Sequence, residues 1–128
     1  MKASGLPLIL IVDDNDRNRK LSRDVLSAAG YPTLEATTAA EGMTIAVEQM
    51  PDVILLDLRL PDVDGTEAVR LFKTEPRTSD IPVVAVSAMR MDPHDAWLHE
   101  AGFAGFIQKP IDVDLLPDLV LRFAESHP

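Results

Sequence analysis

Five short apolar segments alternate along the chain with five stretches of helical character, and this alternation restricts the fold more than any other feature. The predicted strands are Leu8–Val12, Thr33–Thr37, Val53–Leu56, Pro82–Ser87 and Gly105–Gln108. Strands that alternate with helices in this way form a parallel sheet covered by helices on both faces. The sequence therefore predicts an α/β domain.

Apolar residues recur at helical spacing between the predicted strands. They are Leu21, Val25, Leu26 and Ala29 in the first helix, Met43, Ala46, Val47 and Met50 in the second, and Leu116, Leu119, Val120 and Phe123 in the last. Thr38 and Glu41 form a capping box for the second helix, and Pro93 suits the start of the fourth. The third helix is predicted from about Thr66 to Thr74.

The composition of each strand predicts its place in the sheet. Leu8–Val12, Val53–Leu56 and Pro82–Val86 are almost continuously apolar, as strands covered on both faces are. Thr33–Thr37 and Gly105–Gln108 are mixed and suit the edges. The predicted strand order is 2-1-3-4-5, a flavodoxin-like doubly wound (βα)5 fold. Its ligand crevice lies at the carboxyl ends of strands 1 and 3.

Length and charge exclude several classes of protein. A chain of 128 residues suits one domain, expected over residues 1–128 with no output domain. The net charge of −9 argues against nucleic acid or an anionic membrane surface as the partner. No apolar run is long enough to span a bilayer, and the chain contains no cysteine. We therefore expect a cytoplasmic protein.

Three aspartates follow two strands that are neighbours in the predicted order. Asp13 and Asp14 end the first strand, and Asp57 ends the third. Two unit charges about 4 Å apart repel by about 4 kcal/mol at an effective dielectric of about 20. A divalent cation would relieve this repulsion, and carboxylate oxygens suit Mg²⁺. Asp16, by contrast, is interpreted as a solvated residue of the turn.

The ends of the last two strands add a hydroxyl and a positive charge to the same edge. Ser87 and Ala88 end the fourth strand, and Lys109 follows the fifth. A carboxylate nucleophile, a metal and a lysine are the components that phosphoryl transfer requires, because this reaction depends on positioning and charge neutralisation. The pattern therefore predicts a phosphoryl-transfer site at this edge of the sheet.

Four segments resemble, in order and spacing, the signature segments of the response-regulator receiver family. They are Ile9–Asn15, Leu55–Gly65, Val84–Ala88 and Ile107–Pro110, and together they span most of the chain. The resemblance implies a phosphorylation switch of a two-component or phosphorelay system. Asp57 would accept the phosphoryl group from a phosphohistidine on a sensor histidine kinase or a histidine phosphotransfer protein. Such a protein catalyses only its own phosphorylation and dephosphorylation and is otherwise not an enzyme.

The resemblance also implies which residues hold the metal. Asp14 and Asp57 would bind Mg²⁺ directly, with Mn²⁺ as a substitute. Arg59 would contribute its backbone carbonyl, and Asp13 would act through metal-bound water.

Further roles at the phosphoryl group follow from the same resemblance. Ser87, Lys109 and the backbone N–H of Ala88 would contact the phosphoryl oxygens. Phe106 would change rotamer together with Ser87, and the Lys109–Pro110 peptide bond would be cis.

The output surface is the last feature that the resemblance implies. A downstream protein would bind the face of helix 4, strand 5 and helix 5, and the chain would be a monomer or a weak phosphorylation-dependent dimer. Met89, Met91 and Trp97 lie in the sequence just beyond the fourth strand, and such side chains suit an adaptable binding surface.

Two other functions remain open at the level of the sequence. Asp14-Asn15-Asp16 faintly matches the D-x-D motif of haloacid-dehalogenase-type phosphatases, but Asn18 stands where that family has Thr or Val. The second alternative is an interaction module that keeps the fold without the switch. Asp62 and Asp64 do not form a calcium loop, since Pro61 stands where a ligand is required. They are interpreted as part of the turn that opens the third helix.

Overall fold

The computed structural model describes residues 6–88 and 96–125. Its elements, in chain order, are β1 (Ile9–Val12), α1 (Asp16–Ala28), β2 (Thr33–Ala36), α2 (Ala39–Gln49), β3 (Val53–Asp57), α3 (Gly65–Thr74), β4 (Val83–Ser87), α4 (Ala96–Ala101), β5 (Gly105–Gln108) and α5 (Leu116–Glu125). The predicted start of the fourth helix at Pro93 lies outside the described residues.

The five strands form one parallel sheet in the order β2-β1-β3-β4-β5. This confirms the flavodoxin-like winding, and every strand begins and ends within one residue of its predicted bounds. β1, β3 and β4 are buried throughout, whereas β2 and β5 are partly exposed at the edges. Strand order and burial therefore agree because a strand covered on both faces must be apolar on both.

Side chains of the sheet alternate between two apolar layers. One layer joins Leu10, Val12, Ile54, Leu56, Val83 and Ala85 to Val69 and Phe72 of α3 and to Leu98 of α4. The other joins Ile9, Ile11, Val53, Leu55, Val84 and Val86 to Leu26 of α1 and to Leu116 and Val120 of α5. These layers fix the carboxyl ends of β1, β3 and β4 side by side.

Three residues predicted to lie on buried helix faces are exposed, namely Leu21, Ala29 and Met50. Leu21 is 40% exposed because the inward face of α1 runs through Ser22 and Leu26. Met50 is 46% exposed because α2 ends at Gln49 and Met50 takes a left-handed conformation with φ of 51°. Ala29 is exposed because α1 ends at Ala28 and Ala29 is its C-cap. The structure therefore corrects these three positions.

The capping box of α2 forms with one change. The Thr38 hydroxyl accepts from the backbone N–H of Glu41 at 3.1 Å, as predicted. The Glu41 carboxylate accepts from the N–H of Thr37 at 2.8 Å, one residue before the usual partner. Within residues 6–88 and 96–125, none of the helices has both the length and the apolar character that a membrane crossing requires.

Candidate functional site

The three predicted aspartates converge at the carboxyl edge of the sheet. Asp13, Asp14 and Asp57 each offer a carboxylate oxygen, and these oxygens all lie within 4.8 Å of one another. Asp13 and Asp57 are 6% and 5% exposed, while Asp14 is open to solvent. The group is therefore a cluster of acids, able to hold a metal ion, with one side accessible from solution.

Backbone amides two residues further on orient both buried carboxylates. The N–H of Asn15 donates to Asp13 Oδ1 at 2.9 Å, and the N–H of Arg59 donates to Asp57 Oδ1 at 3.0 Å. Such local turns form readily after an aspartate because its short side chain reaches back to the chain. In each carboxylate the Oδ2 atom faces the Lys109 ammonium.

Lys109 brings positive charge to the two buried acids. Its Nζ lies 3.3 Å from Asp13 Oδ2 and 3.4 Å from Asp57 Oδ2, and its side chain is 15% exposed. The backbone N–H of Lys109 donates to the carbonyl of Ser87 at 2.8 Å, which aligns the end of β5 with the end of β4. The Lys109–Pro110 peptide bond is cis, as predicted.

The acid cluster opposes full ionisation of Asp13. Burial raises the pKa of the Asp13 carboxyl above its ordinary value, and the neighbouring charge of Asp57 raises it further. The N–H of Asn15 and the ammonium of Lys109 lower it, but the pKa still rises overall. Added positive charge would therefore stabilise the ionised cluster, which fits a divalent cation.

A cleft of about 300 Å³ opens over the cluster. Its lining residues are Asp14, Asn15, Asn18, Asp57, Arg59, Ser87, Ala88 and Lys109. The cleft thus brings together the predicted metal and phosphoryl-group residues other than Asp13, which lines a small void that Asp57 also lines. Phe106, predicted as part of the switch, is not among the residues that line the cleft. Ser87 is 2% exposed, whereas Ala88 is exposed at the rim.

The structure adds residues of α1 that the sequence analysis did not assign to the site. Asn18 lines the cleft, and Ser22 lines a void of about 10 Å³ beside Asp13 and Asp57. Residues 15, 18 and 22 are spaced so that they share one helix face. This spacing, counted from the end of β1, was a signal that could have identified them.

The loop between β3 and α3 folds back on itself beside Asp57. Arg59 and Asp64 form an isolated antiparallel bridge, and the N–H of Gly65 donates to the carbonyl of Leu58 at 3.0 Å. The Asp64 carboxylate caps α3 by accepting from the N–H of Glu67 at 3.0 Å. This agrees with the prediction of a turn at this position.

Ser87 and Phe106 lie on the same face of the sheet. Ala85 pairs with Phe106, and Ser87 pairs with Gln108, two residues further along each strand. Because side chains alternate with period two, all four point to the layer that contains Ala85. Phe106 is half-buried and packs against that layer.

Part of the predicted output surface can be located. Trp97 of α4 is 37% exposed, and its ring meets that of Phe103 edge to face with centroids 6.5 Å apart. Met89 and Met91 lie outside the described residues.

Sequence similarity places the chain in a known family. It matches the response regulator receiver domain over residues 9–121. It is 38% identical over 105 residues to the polar-differentiation response regulator DivK of Brucella ovis. The aligned region covers 82% of this chain and 85% of DivK.

Solved structures agree in fold. The chemotaxis response regulator CheY4 of Vibrio cholerae superposes with a TM-score of 0.84 over 92% of this chain and 98% of its own, at 23% identity. The receiver domain of NtrX from Brucella abortus gives a TM-score of 0.82 over 92% and 98% of the two chains, at 28% identity. The chain therefore belongs to the response regulator receiver domain family of two-component signalling, whose members are phosphorylation-dependent signalling proteins.

Proposed function

We propose that Asp57 accepts a phosphoryl group from a phosphohistidine of a sensor histidine kinase or a histidine phosphotransfer protein. The observation that carries this proposal is the buried Asp57 carboxylate, which lines an open cleft 3.4 Å from the Lys109 ammonium. A carboxylate oxygen of Asp57 forms the new P–O bond while the P–N bond to the donor imidazole breaks. The imidazole nitrogen leaves with the electron pair of that bond and takes up a proton.

The donor set fits a magnesium ion. Asp14 and Asp57 would bind Mg²⁺ directly, the backbone carbonyl of Arg59 would add a neutral oxygen, and Asp13 would hold a metal-bound water. Such oxygen ligands, few of them charged, suit Mg²⁺ and also accept Mn²⁺. When bound, the ion neutralises charge on the phosphoryl oxygens.

Three donors of the chain would meet the phosphoryl oxygens. The Lys109 ammonium already faces Asp57, the Ser87 hydroxyl belongs to the cleft wall, and the backbone N–H of Ala88 follows it at the rim. Charge-assisted hydrogen bonds of this kind are the stronger class. They favour the phosphorylated state and draw the end of β4 toward the site.

Movement of Ser87 would be transmitted through Phe106. The two side chains share one face of the sheet on neighbouring strands, so space vacated by Ser87 is open to the Phe106 ring. A two-state element biased by local charge is what a phosphorylation switch requires. The face of α4, β5 and α5 would then change its affinity for a downstream protein, or for a second copy in a weak dimer.

The environment of the proposed switch follows from the same chemistry. A phosphohistidine donor would place the protein with its kinase in the cytoplasm, and a chain without cysteine carries no disulfide that a reducing compartment would break. The acidic net charge favours protein partners over nucleic acid.

Incubation with acetyl phosphate and Mg²⁺ tests the proposed function. We expect one phosphoryl adduct per chain by intact mass in the wild type and in Asp80→Asn, which removes an exposed acid away from the cleft. Asp57→Asn should carry none. Steady turnover of a general phosphatase substrate would identify an enzyme instead, and the absence of any reaction would identify a phosphate-independent interaction module.

A further inference from the structure

Arg19 of α1 joins three parts of the structure around the acid cluster. Its Nη1 donates to the backbone carbonyl of Asp13 at 3.0 Å, its Nε to Glu35 Oε1 at 3.1 Å, and its Nη2 to Asp16 Oδ1 at 2.6 Å. The side chain is only 16% exposed. A single guanidinium therefore ties the end of β1 to β2 and to the first turn of α1.

These contacts complete the anchoring of the Asp13 backbone. Its N–H already donates to the carbonyl of Ala36, the last residue of β2, at 3.0 Å. The Arg19 bond holds the opposite polar group of the same residue. The peptide between Asp13 and Asp14 is consequently fixed, and with it the point from which the Asp14 side chain begins.

Glu35 is itself held in place. Arg23 Nη1 donates to Glu35 Oε2 at 3.2 Å, so both carboxylate oxygens are bound by arginines of α1. Within the described residues, Arg23 donates hydrogen bonds to Asp24 and Glu35 and none to Asp13 or Asp14. Arg19 and Arg23 thus share a partner, a helix and a charge, but only Arg19 contacts Asp13 and Asp16, whereas Arg23 contacts Asp24.

We propose that Arg19 is a positioning residue for the metal site, which fixes the Asp13–Asp14 peptide so that both carboxylates are set for a divalent cation. The inference rests on the magnesium site of the proposed function. Only a guanidinium offers donors in several fixed directions within one plane, and a lysine in its place can satisfy at most part of this set.

The sign of the effect separates positioning from simple charge. Removing a positive charge near a cation site should strengthen magnesium binding, because it removes repulsion. Removing a residue that positions the ligands should weaken it, and partners behind the ligands typically contribute about 10-fold to 100-fold in metal affinity. Arg19→Met and Arg23→Met remove the same charge from the same helix and therefore separate the two effects.

The experiment is a calorimetric titration of each folded variant with MgCl₂ at constant ionic strength. We expect Arg19→Met to bind Mg²⁺ about 10-fold more weakly than the wild type. Arg23→Met should bind with unchanged or slightly higher affinity. Arg19→Lys should lie between Arg19→Met and the wild type, and it provides the test if Arg19→Met does not fold.

Two further measurements report on the loop after β1 and on the phosphorylation of Asp57. Hydrogen exchange of the Asn15 amide, which donates to Asp13, should accelerate in Arg19→Met and stay unchanged in Arg23→Met. In acetyl phosphate labelling, Arg19→Met should need more Mg²⁺ for half-maximal rate and reach the wild-type rate at saturation.

Equal magnesium affinity in the wild type and both Arg19 variants overturns this inference and leaves the metal site in place. A wild-type protein that binds no Mg²⁺ overturns the inference together with the proposed metal site.

Discussion

The Lys109 ammonium lies 3.4 Å from Asp57 Oδ2, although Asp57 is the last residue of β3, Lys109 follows β5, and β4 lies between these two strands. The contact exists only when β3, β4 and β5 are in their native order and register. The charge balance of the site is therefore a property of the folded sheet, and an unfolded chain has no equivalent. A ligand of this site should accordingly stabilise the native state alone.

Magnesium should raise the free energy of unfolding. A concentration about ten times the dissociation constant would add about 1.4 kcal/mol, because the ion binds only the folded acid cluster. Thermal unfolding with MgCl₂, against NaCl at matched ionic strength, measures this gain. The gain should be smaller in Asp14→Asn, and an identical melting temperature in both salts would contradict the metal site.

The loop beside Asp57 should not tolerate a side chain at Gly65. A Cβ there would lie 2.7 Å from the Cα of Leu58, so the backbone would have to move. We expect Gly65→Ala to cost about 1–3 kcal/mol of stability. Gly42→Ala is the matched control, since the three nearest neighbours of its Cβ are side-chain atoms of Val12, at 3.0 and 3.5 Å, and of Ala36, at 3.7 Å. Urea unfolding compares the two, and a smaller loss at Gly65 than at Gly42 would count against this view of the loop.

Asp62 should contribute stability that depends on pH. The backbone N–H groups of Ala39 and Ala40 donate to its carboxylate at 3.0 and 3.1 Å and lower the pKa of Asp62 below its ordinary value of 3.8. A pKa lowered by folding adds stability that is present above the unfolded value and is lost as pH falls through the folded value.

Asp62→Asn should therefore be less stable than the wild type at neutral pH, and the difference should close below about pH 4. Asp62→Ala, which lacks an acceptor for the start of α2, should lose about 0.5–1 kcal/mol at neutral pH. Urea unfolding at a series of pH values tests both variants. If the stability difference between Asp62→Asn and the wild type persists unchanged at acidic pH, the effect does not come from the ionised Asp62 carboxylate.

The sequence was sufficient for the strand order and for the position of the acids. Both follow from local composition, because an apolar run such as Val53–Leu56 must be buried on both faces and the polar residue after it must lie at the sheet edge. Side-chain contacts that do not follow from the strand order could not be predicted from the sequence. Asp62 was interpreted as a turn residue, yet it also caps α2, and only the packed fold brings residues 39 and 62 together.

Helix phase was the other source of error. The apolar pattern placed Leu21 inside and gave no reason to place Ser22 there, although the structure buries Ser22 and exposes Leu21. Hydrophobicity alone cannot identify a small polar residue that packs beneath a polar site. The same holds for Arg19. Its charge suggests a surface residue, yet its side chain is largely buried and its guanidinium donates to the backbone carbonyl of Asp13.

Phosphorylation should alter the output face. A phosphoryl group adds about 1.5–2 negative charges, which Ser87 and Lys109 are placed to meet. We expect beryllofluoride with Mg²⁺, which mimics that group, to change the emission of Trp97. The change should vanish in Asp57→Asn and weaken in Ser87→Ala. Amide and methyl resonances that change only in the immediate pocket of Asp57 would show that α4, β5 and α5 are not the output face.

The location of the phosphoryl group tests the central claim most directly. The wild-type protein is treated with acetyl phosphate and Mg²⁺, the acyl phosphate is reduced with borohydride, and the modified residue is identified by tandem mass spectrometry. The proposed mechanism predicts modification at Asp57, dependent on Mg²⁺ and absent in Asp57→Asn. Modification of Asp13 or Asp14 instead, or undiminished labelling of Asp57→Asn, would contradict it.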